Sequence, residues 1–528
     1  MYSVVDLFAG AGGLSLGFTQ TGNYKVVAAF EKNEFASKTY KKNNPDVELY
    51  DDVCAANYNE LKKKFGNIDI VIGGPPCQGF SNANRQHNTT INQNNMLVKQ
   101  YIRAILELNP KAFVMENVGM LKSDVHKFYK TTADIDLIQE YGIETQNSKI
   151  FLLSKEYFFQ DIYNIVNNLT NIDSYIWNDD FYLGINVIYK QKKNKTKLIK
   201  AIKKYSKLLK MNLHNEIGLE NKTISKIFNN FKKNVDNLLS KKISIEDFIT
   251  QLEKPLMIQK MFKTLKEIKD NNLVINNYSF ESDLYAEVDS FPVYEYLTKI
   301  LESKKHGYVI DKGILTASDF GVPQKRRRFV VMGIKRSISR EVKLPENKKP
   351  HINTVKDAIY DIEDCYTTTS ATNDNGIHLP KIPKKELSEL ARKLRNTNLL
   401  FNNIITDTGK TAMERFKLIK QGQNFHSLDN KHKKNTYANI ERTQNTIYLR
   451  LDYSKVSGTV VNVRKSMWIH PTKDRALSVR EAARLQTFPD SFIFCGSKDS
   501  QYQQVGNAVP PMLAEAISRK LLEYLNSK

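Results

Sequence analysis

The chain has 528 residues, room for about three domains, which excludes a peptide hormone or a lone binding module. Hydrophobic residues make up 41% and charged residues 26%, near the globular average, so wholesale disorder is excluded and a sizeable core is expected. Lys and Arg total 79 against 57 Asp and Glu, a net charge of +22, which favours a polyanionic partner: nucleic acid first, an anionic membrane surface second. An AT-rich genome also enriches Lys and Asn, so charge alone does not decide the matter.

The four cysteines, Cys54, Cys77, Cys365 and Cys495, contain no CxxC pair, so neither a disulfide framework nor a structural zinc site is expected. No apolar run approaches the roughly 18 residues of a membrane span, and no basic segment followed by an apolar stretch opens the chain. The expectation is a folded, soluble protein of a reducing cytosol.

Over the first 120 residues short apolar runs alternate with helical patterns, the rhythm of an α/β fold. Val4 to Phe8 predicts a strand, Ala9-Gly10-Ala11-Gly12-Gly13 a turn, and Leu14 to Gln20 a short helix. Lys25 to Phe30 predicts a second strand with Glu31 at its carboxyl end, and Ile68 to Ile72 a third, stopped by Gly73-Gly74-Pro75-Pro76. Leu97, Tyr101, Ile102, Ile105 and Leu108 recur at helical spacing before a strand over Ala112 to Met115. Chemistry is expected at the carboxyl ends of these strands.

From about Ser123 to Val288 the pattern predicts a mainly helical insert. Leu198, Ile199, Ile202, Tyr205, Leu208 and Leu209 form one stripe, and Ile227, Phe228, Phe231, Val235, Leu238 and Leu239 another. Lys190 to Lys210 carries ten lysines and no acidic residue, which reads as a solvated helix face or as a contact to a DNA backbone. The α/β rhythm resumes around Tyr308 to Lys335.

Four constellations carry chemistry. The glycine turn followed by Glu31 suits an adenosine cofactor, because a carboxylate at the end of the next strand accepts hydrogen bonds from ribose hydroxyls. In Gly73-Gly74-Pro75-Pro76-Cys77-Gln78-Gly79-Phe80-Ser81 the prolines stiffen a loop that presents Cys77, a nucleophile if positive charge or amide donors lower its thiol pKa. Glu116, directly after the strand Ala112 to Met115, is a candidate acid or hydrogen-bond donor. Further on, Gln324, Arg326 and Arg328 alternate into the strand Phe329 to Met332 and point together.

With these residues in place, the chain resembles the DNA (cytosine-5) methyltransferases of bacterial restriction-modification systems. Asp6-Leu7-Phe8-Ala9-Gly10-Ala11-Gly12-Gly13 is similar to that family's cofactor motif and Pro75-Pro76-Cys77-Gln78 to its catalytic loop. Glu116-Asn117-Val118, Gln324-x-Arg326-x-Arg328, Arg480-Glu481-Ala482-Ala483-Arg484-Leu485-Gln486 and Gly506-Asn507-Ala508-Val509-Pro510-Pro511 match four more, in the same order. The resemblance implies a Rossmann-like mixed sheet of the S-adenosylmethionine-dependent methyltransferase type and a smaller target-recognition domain, while the helical insert departs from the family's minimal pattern. Its implied organisation is a catalytic domain from 1–122, 289–336 and 474–528, an insert at 123–288 and target recognition at 337–473. Because the first motif opens the chain, no regulatory domain is expected before it.

Carried over by the resemblance, Phe8, Gly10, Leu14, Pro75 and Leu97 line the S-adenosylmethionine pocket. Glu31 binds the ribose, Asp52 the adenine amino group, and Asn507 closes the pocket. Lys32 stands where many relatives place an apolar side chain against the adenine, its methylene stem serving as substitute. Cys77 attacks carbon 6 of a flipped cytosine, Glu116 engages ring nitrogen 3, Arg328 holds the base carbonyl, and Arg326 helps to fix the loop. No metal is implied. The implied partners are double-stranded DNA and a cognate restriction endonuclease, with no membrane, for a monomer in the bacterial cytoplasm. The alternative is an RNA cytosine-5 methyltransferase of the same fold; a catalytically silent DNA-binding regulator would need a broken site, and no catalytic motif is broken.

Overall fold

Strands covered on both faces need continuous apolar runs, and the amino-terminal third supplies them. In the computed structural model these become β1 (Tyr2–Leu7), β2 (Tyr24–Phe30), β3 (Glu48–Tyr50), β4 (Ile70–Gly73) and β5 (Ala112–Asn117). The chain continues through β6 (Lys127–Tyr129), β7 (Gln146–Ser154), β8 (Ile275–Phe280), β9 (Asp283–Pro292), β10 (Tyr308–Thr316) and β11 (Arg327–Lys335). The structure describes residues 1–76, 93–117, 127–169, 171–211, 221–371, 376–433, 440–441 and 443–527. Contacts divide the chain into two units, one of Met1–Ser81, Asn94–Ser123 and Ile300–Lys528, the other of Asn82–Gln93 and Asp124–Lys299.

The first unit is built on a seven-stranded sheet of order β10-β11-β5-β4-β1-β2-β3. Strands β1 to β5 run parallel, while β11 is antiparallel to both β5 and β10, so the sheet is mixed, as the sequence predicts. The register pairs Leu7 with Phe30 and with Gly73, and Gly73 with Met115. Phe8, Glu31 and Gly74 therefore leave the sheet in one row, level with Glu116 near the end of β5, and antiparallel pairing also brings Arg328 to that row.

The carboxyl-terminal helix Pro511–Asn526 closes this unit by burying Leu513, Ile517 and Leu521. It lies against the helix Gly13–Thr19, and two glycines set the approach. A Cβ on Gly13 would collide with the Val509 carbonyl, and one on Gly17 with Ala514 and the Pro511 carbonyl. In the same unit, Ser478 and Glu481 form a capping box that starts the helix Val479–Leu485.

The stretch 337–473 does not keep its core to itself. Val355, Ile359, Leu390 and Leu400 share one apolar cluster with Leu485, Phe488 and Tyr502 of the closing segment, and a smaller cluster gathers Phe416, Ile419, Phe425, Tyr448 and Ile469.

The second unit combines helices with an antiparallel sheet, β6-β9-β7 with β8 also on β9, which helical periodicity alone did not reveal. Strand β9 runs across position 288, so the boundary expected there falls inside a strand, and the unit ends at Lys299. Both apolar stripes fold as helices, Lys195–Met211 and Lys222–Leu239. Phe228, Phe231, Val235 and Leu238 are buried as expected, but Ile199 is exposed, because it sits about 100° round the helix from buried Leu198 and away from Ala201 and Leu209. Trp177 stacks on Phe231 with ring centroids 4.9 Å apart. Among the described residues no helix is long and apolar enough to cross a membrane.

The close approach at Gly17 yields the first prediction. Gly17→Val should cost about 1–3 kcal/mol through overpacking, read as a lower midpoint in denaturant melts. Gly409→Ala, where an added Cβ meets nothing, should leave the midpoint in place.

Candidate active site

One end of the sheet edge is a carboxylate cradled by backbone. Phe8 (φ 58°) and Gly10 (φ 58°) turn the chain in the left-handed region after β1, and the Gly10 N–H then donates to Glu31 Oε2 at 2.8 Å. The Asn33 N–H donates to Glu31 Oε1 at 2.7 Å. Burial pushes the Glu31 carboxyl up, and these two donors oppose it. Each oxygen keeps a lone pair for a further donor, and the space where a Gly10 Cβ would stand is open. A polyhydroxylated ligand fits here. Leu14 is buried and Leu97 half-buried, each on a helix flanking this edge.

Asp52 holds one side-chain and one backbone donor. Its Oδ2 takes the Lys32 ammonium at 2.7 Å and its Oδ1 the Cys54 N–H at 2.9 Å, and the Lys32 hydrogen bond lowers its pKa. Lys32, whose stem was expected against an adenine, directs its ammonium to this carboxylate.

The other end of the edge holds Glu116. It is buried with its carboxylate against the Arg328 Nε, and burial raises its pKa while the guanidinium opposes the rise. Arg328 Nη1 donates to the Arg327 carbonyl at 2.9 Å. Next to this pair the Asn117 amide donates to the Pro75 carbonyl at 3.1 Å, and a Cβ on Gly74 would stand 3.1 Å from Glu116 Oε2. The start of the proline loop is thus pinned against the buried carboxyl. Cys77 itself lies outside the described residues.

Arg326 binds the closing segment. It is fully buried, and its Nη atoms donate to the carbonyls of Val460 (3.0 Å), Gly506 (3.0 Å) and Asn507 (3.4 Å), so it positions the closing segment. Gln324 adds to the same seam by accepting from the Val460 N–H at 2.8 Å and donating to Gln486. Asn507 is exposed and accepts from the Gln503 amide at 2.8 Å.

Sequence reasoning missed a buried chain behind the glycine turn. Ser15 Oγ donates to Asp6 Oδ2 at 2.5 Å and meets Tyr40 OH at 2.8 Å, while Asp6 Oδ1 has no hydrogen-bond partner among the described residues. Burial pushes Asp6 up to about 7, with the Ser15 hydrogen bond opposing and Glu31 reinforcing the shift. An acidic residue inside an otherwise apolar strand was the available signal.

This network makes the pH dependence of folding testable. Folded Asp6 keeps its proton to about pH 7, whereas its ordinary value is 3.8, so between these the folded state binds more protons and stability falls as pH rises. Asp6→Asn should remove that slope: denaturant midpoints of the two proteins should converge or cross between pH 4.5 and 7.5, and parallel curves would refute the assignment.

The C-5 cytosine-specific DNA methylase family model matches residues 2–142 and 294–523, and the gap between the matches lies in the second unit. The type II methyltransferase M.DdeI of Desulfomicrobium norvegicum is 24% identical over 543 residues, spanning 99% of this chain and 89% of that protein. The DNA (cytosine-5-)-methyltransferase M.ApeKI of Aeropyrum pernix is 27% identical over 562 residues, spanning 100% and 99%. Among solved structures, a candidate DNA modification methyltransferase encoded within an E. coli prophage shares the fold, with TM-score 0.55, 21% identity and full coverage of both chains.

Proposed function

The chain belongs to the C-5 cytosine-specific DNA methylase family, and from that premise we propose that it is the modification enzyme of a restriction-modification system, using S-adenosylmethionine to methylate a cytosine within a specific duplex sequence. The observation that carries this reading is the level register of the parallel strands, which sets the Gly10–Glu31 cradle and the Glu116–Arg328 pair along one sheet edge. The names of its relatives, type II and DNA (cytosine-5-)-methyltransferases, weigh toward DNA and against RNA.

Glu31 holds the ribose hydroxyls of the cofactor, Phe8, Gly10, Leu14, Pro75 and Leu97 line its pocket, and Asn507 closes it. Asp52 receives the adenine amino group once Lys32 swings aside. Bound there, S-adenosylmethionine supplies the methyl group for carbon 5.

Carbon 5 of cytosine is a poor nucleophile, so Cys77 Sγ adds to carbon 6 of the flipped base while Glu116 donates a proton or hydrogen bond to ring nitrogen 3. The raised pKa of Glu116 suits a donor, and Arg328, beside it, reaches for the base carbonyl. After methylation the carbon 5 proton leaves and the bond to Cys77 breaks, freeing enzyme and product. Sequence is read by 337–473, and the product is resistance of that sequence to a cognate endonuclease.

Two measurements test this. A duplex carrying 5-fluorocytosine at the target should trap a complex stable to denaturation, because fluorine does not leave as a proton does; a Cys77→Ser protein that still trapped DNA and methylated at the normal rate would overturn the mechanism. Glu31→Ala should weaken S-adenosylmethionine binding by about 1.5–3 kcal/mol in calorimetry, and unchanged affinity would place the ribose elsewhere.

A further inference from the structure

The second unit is nearly balanced in charge, yet the balance is uneven. Residues 124–299 carry 26 lysines, no arginine and 23 acidic residues; outside 190–210 the same unit holds 16 lysines against those 23. A lysine-rich genome would spread its lysines, whereas this unit is acidic except in one segment.

That segment is a helix on a firm base. Lys195–Met211 buries Leu198, Ala201 and Leu209 in the unit's core, and Tyr205 and Leu208 lie against Gly184 of a neighbouring helix. At about 100° per residue, Lys197, Lys200, Lys203, Lys204, Lys207 and Lys210 fall within roughly 140° of arc on the opposite side. All six are exposed.

Pairing separates these lysines from their neighbours. Lys192 pairs with Glu253 at 3.0 Å, Lys195 with Glu246 at 3.0 Å, Lys263 with Asp179 at 2.6 Å and Lys266 with Asp173 at 2.6 Å. Among the described residues none of the six forms an ion pair, and Lys204 only lies over the Tyr205 ring at 5.3 Å. The unit has carboxylates to neutralise a solvated face, and places them elsewhere.

From Lys197 to Lys210 the helix rises about 20 Å, which runs alongside about six phosphates of one DNA strand at roughly 3.4 Å per phosphate. We infer that the exposed lysine face of Lys195–Met211 is a sequence-independent binding surface for the phosphate backbone of duplex DNA. The inference rests on the reading of DNA as substrate. Ammonium groups there release counterions from the backbone and meet no base edge, so the face adds affinity and no sequence information.

The test uses the full chain with Lys197, Lys200, Lys204 and Lys207 changed to Gln, beside a second protein with the same four changed to Arg. With a random-sequence duplex, the Gln protein should lose roughly tenfold or more in affinity at low salt, and its slope of log K against log salt should flatten by about 2 to 4. The Arg protein should keep both, and both variants should melt like the parent and methylate the parent's motif. Unchanged affinity and slope in the Gln protein would overturn the inference. So would a changed methylated motif, since the face would then be reading bases, or a loss confined to binding of anionic phosphatidylserine vesicles. The functional reading fails separately: it falls if the unsubstituted protein methylates no duplex, whatever its salt slope.

Discussion

Parallel pairing of β1 with β2 and β4, and of β4 with β5, fixes four strand ends in one row, and the chemistry hangs from that row. A one-residue slip in any of these pairings would turn alternate side chains to the other face and carry Phe8, Glu31, Gly74 or Glu116 out of line. Buried valines, isoleucines and alanines on both faces make such a slip costly, because each would exchange a core position for a misfit. The site therefore inherits its geometry from the core.

The edge needs a second support, and it comes from the far end of the sequence. Gly13 and Gly17 let the carboxyl-terminal segment approach the first helix backbone to backbone, and Arg326 then ties Val460, Gly506 and Asn507 to the strand that also carries Arg328. Nearby, Arg484 is buried with a two-pronged bond to Asp490 at 2.8 and 2.6 Å and another to Asp361. Glu481, held by Arg475, stays ionised to about pH 2 despite complete burial. Buried ion pairs of this kind add little net stability but penalise any arrangement that separates the partners, so they specify how 355–404 meets 477–508.

Burial at the edge also explains the contrast between its carboxylates. Asp52 is partly solvated and paired with a lysine, so it sits low; Glu31, Glu116 and Asp6 are withdrawn from water and sit high. A carboxyl poised to keep or share a proton belongs beside reacting groups, and here backbone N–H donors at Glu31, a guanidinium at Glu116 and the Ser15 hydroxyl at Asp6 hold the shifts in check.

The sequence by itself determined the α/β class, four of the five parallel strands (β1, β2, β4 and β5), the glycine turn after β1 and the candidate residues at the strand ends. Those features are local: period-two and period-3.6 patterns and glycine turns act within a few residues. Only the tertiary structure decided that Arg326 serves the closing segment, that Lys32 occupies Asp52, that Asp6 lies in a buried chain with Ser15 and Tyr40, and that the insert contains a sheet. Each of these depends on groups far apart in sequence or on which face of an element meets water, such as the 134 residues between Arg326 and Val460. Periodicity says that an element has a buried face, and packing alone chooses what that face meets.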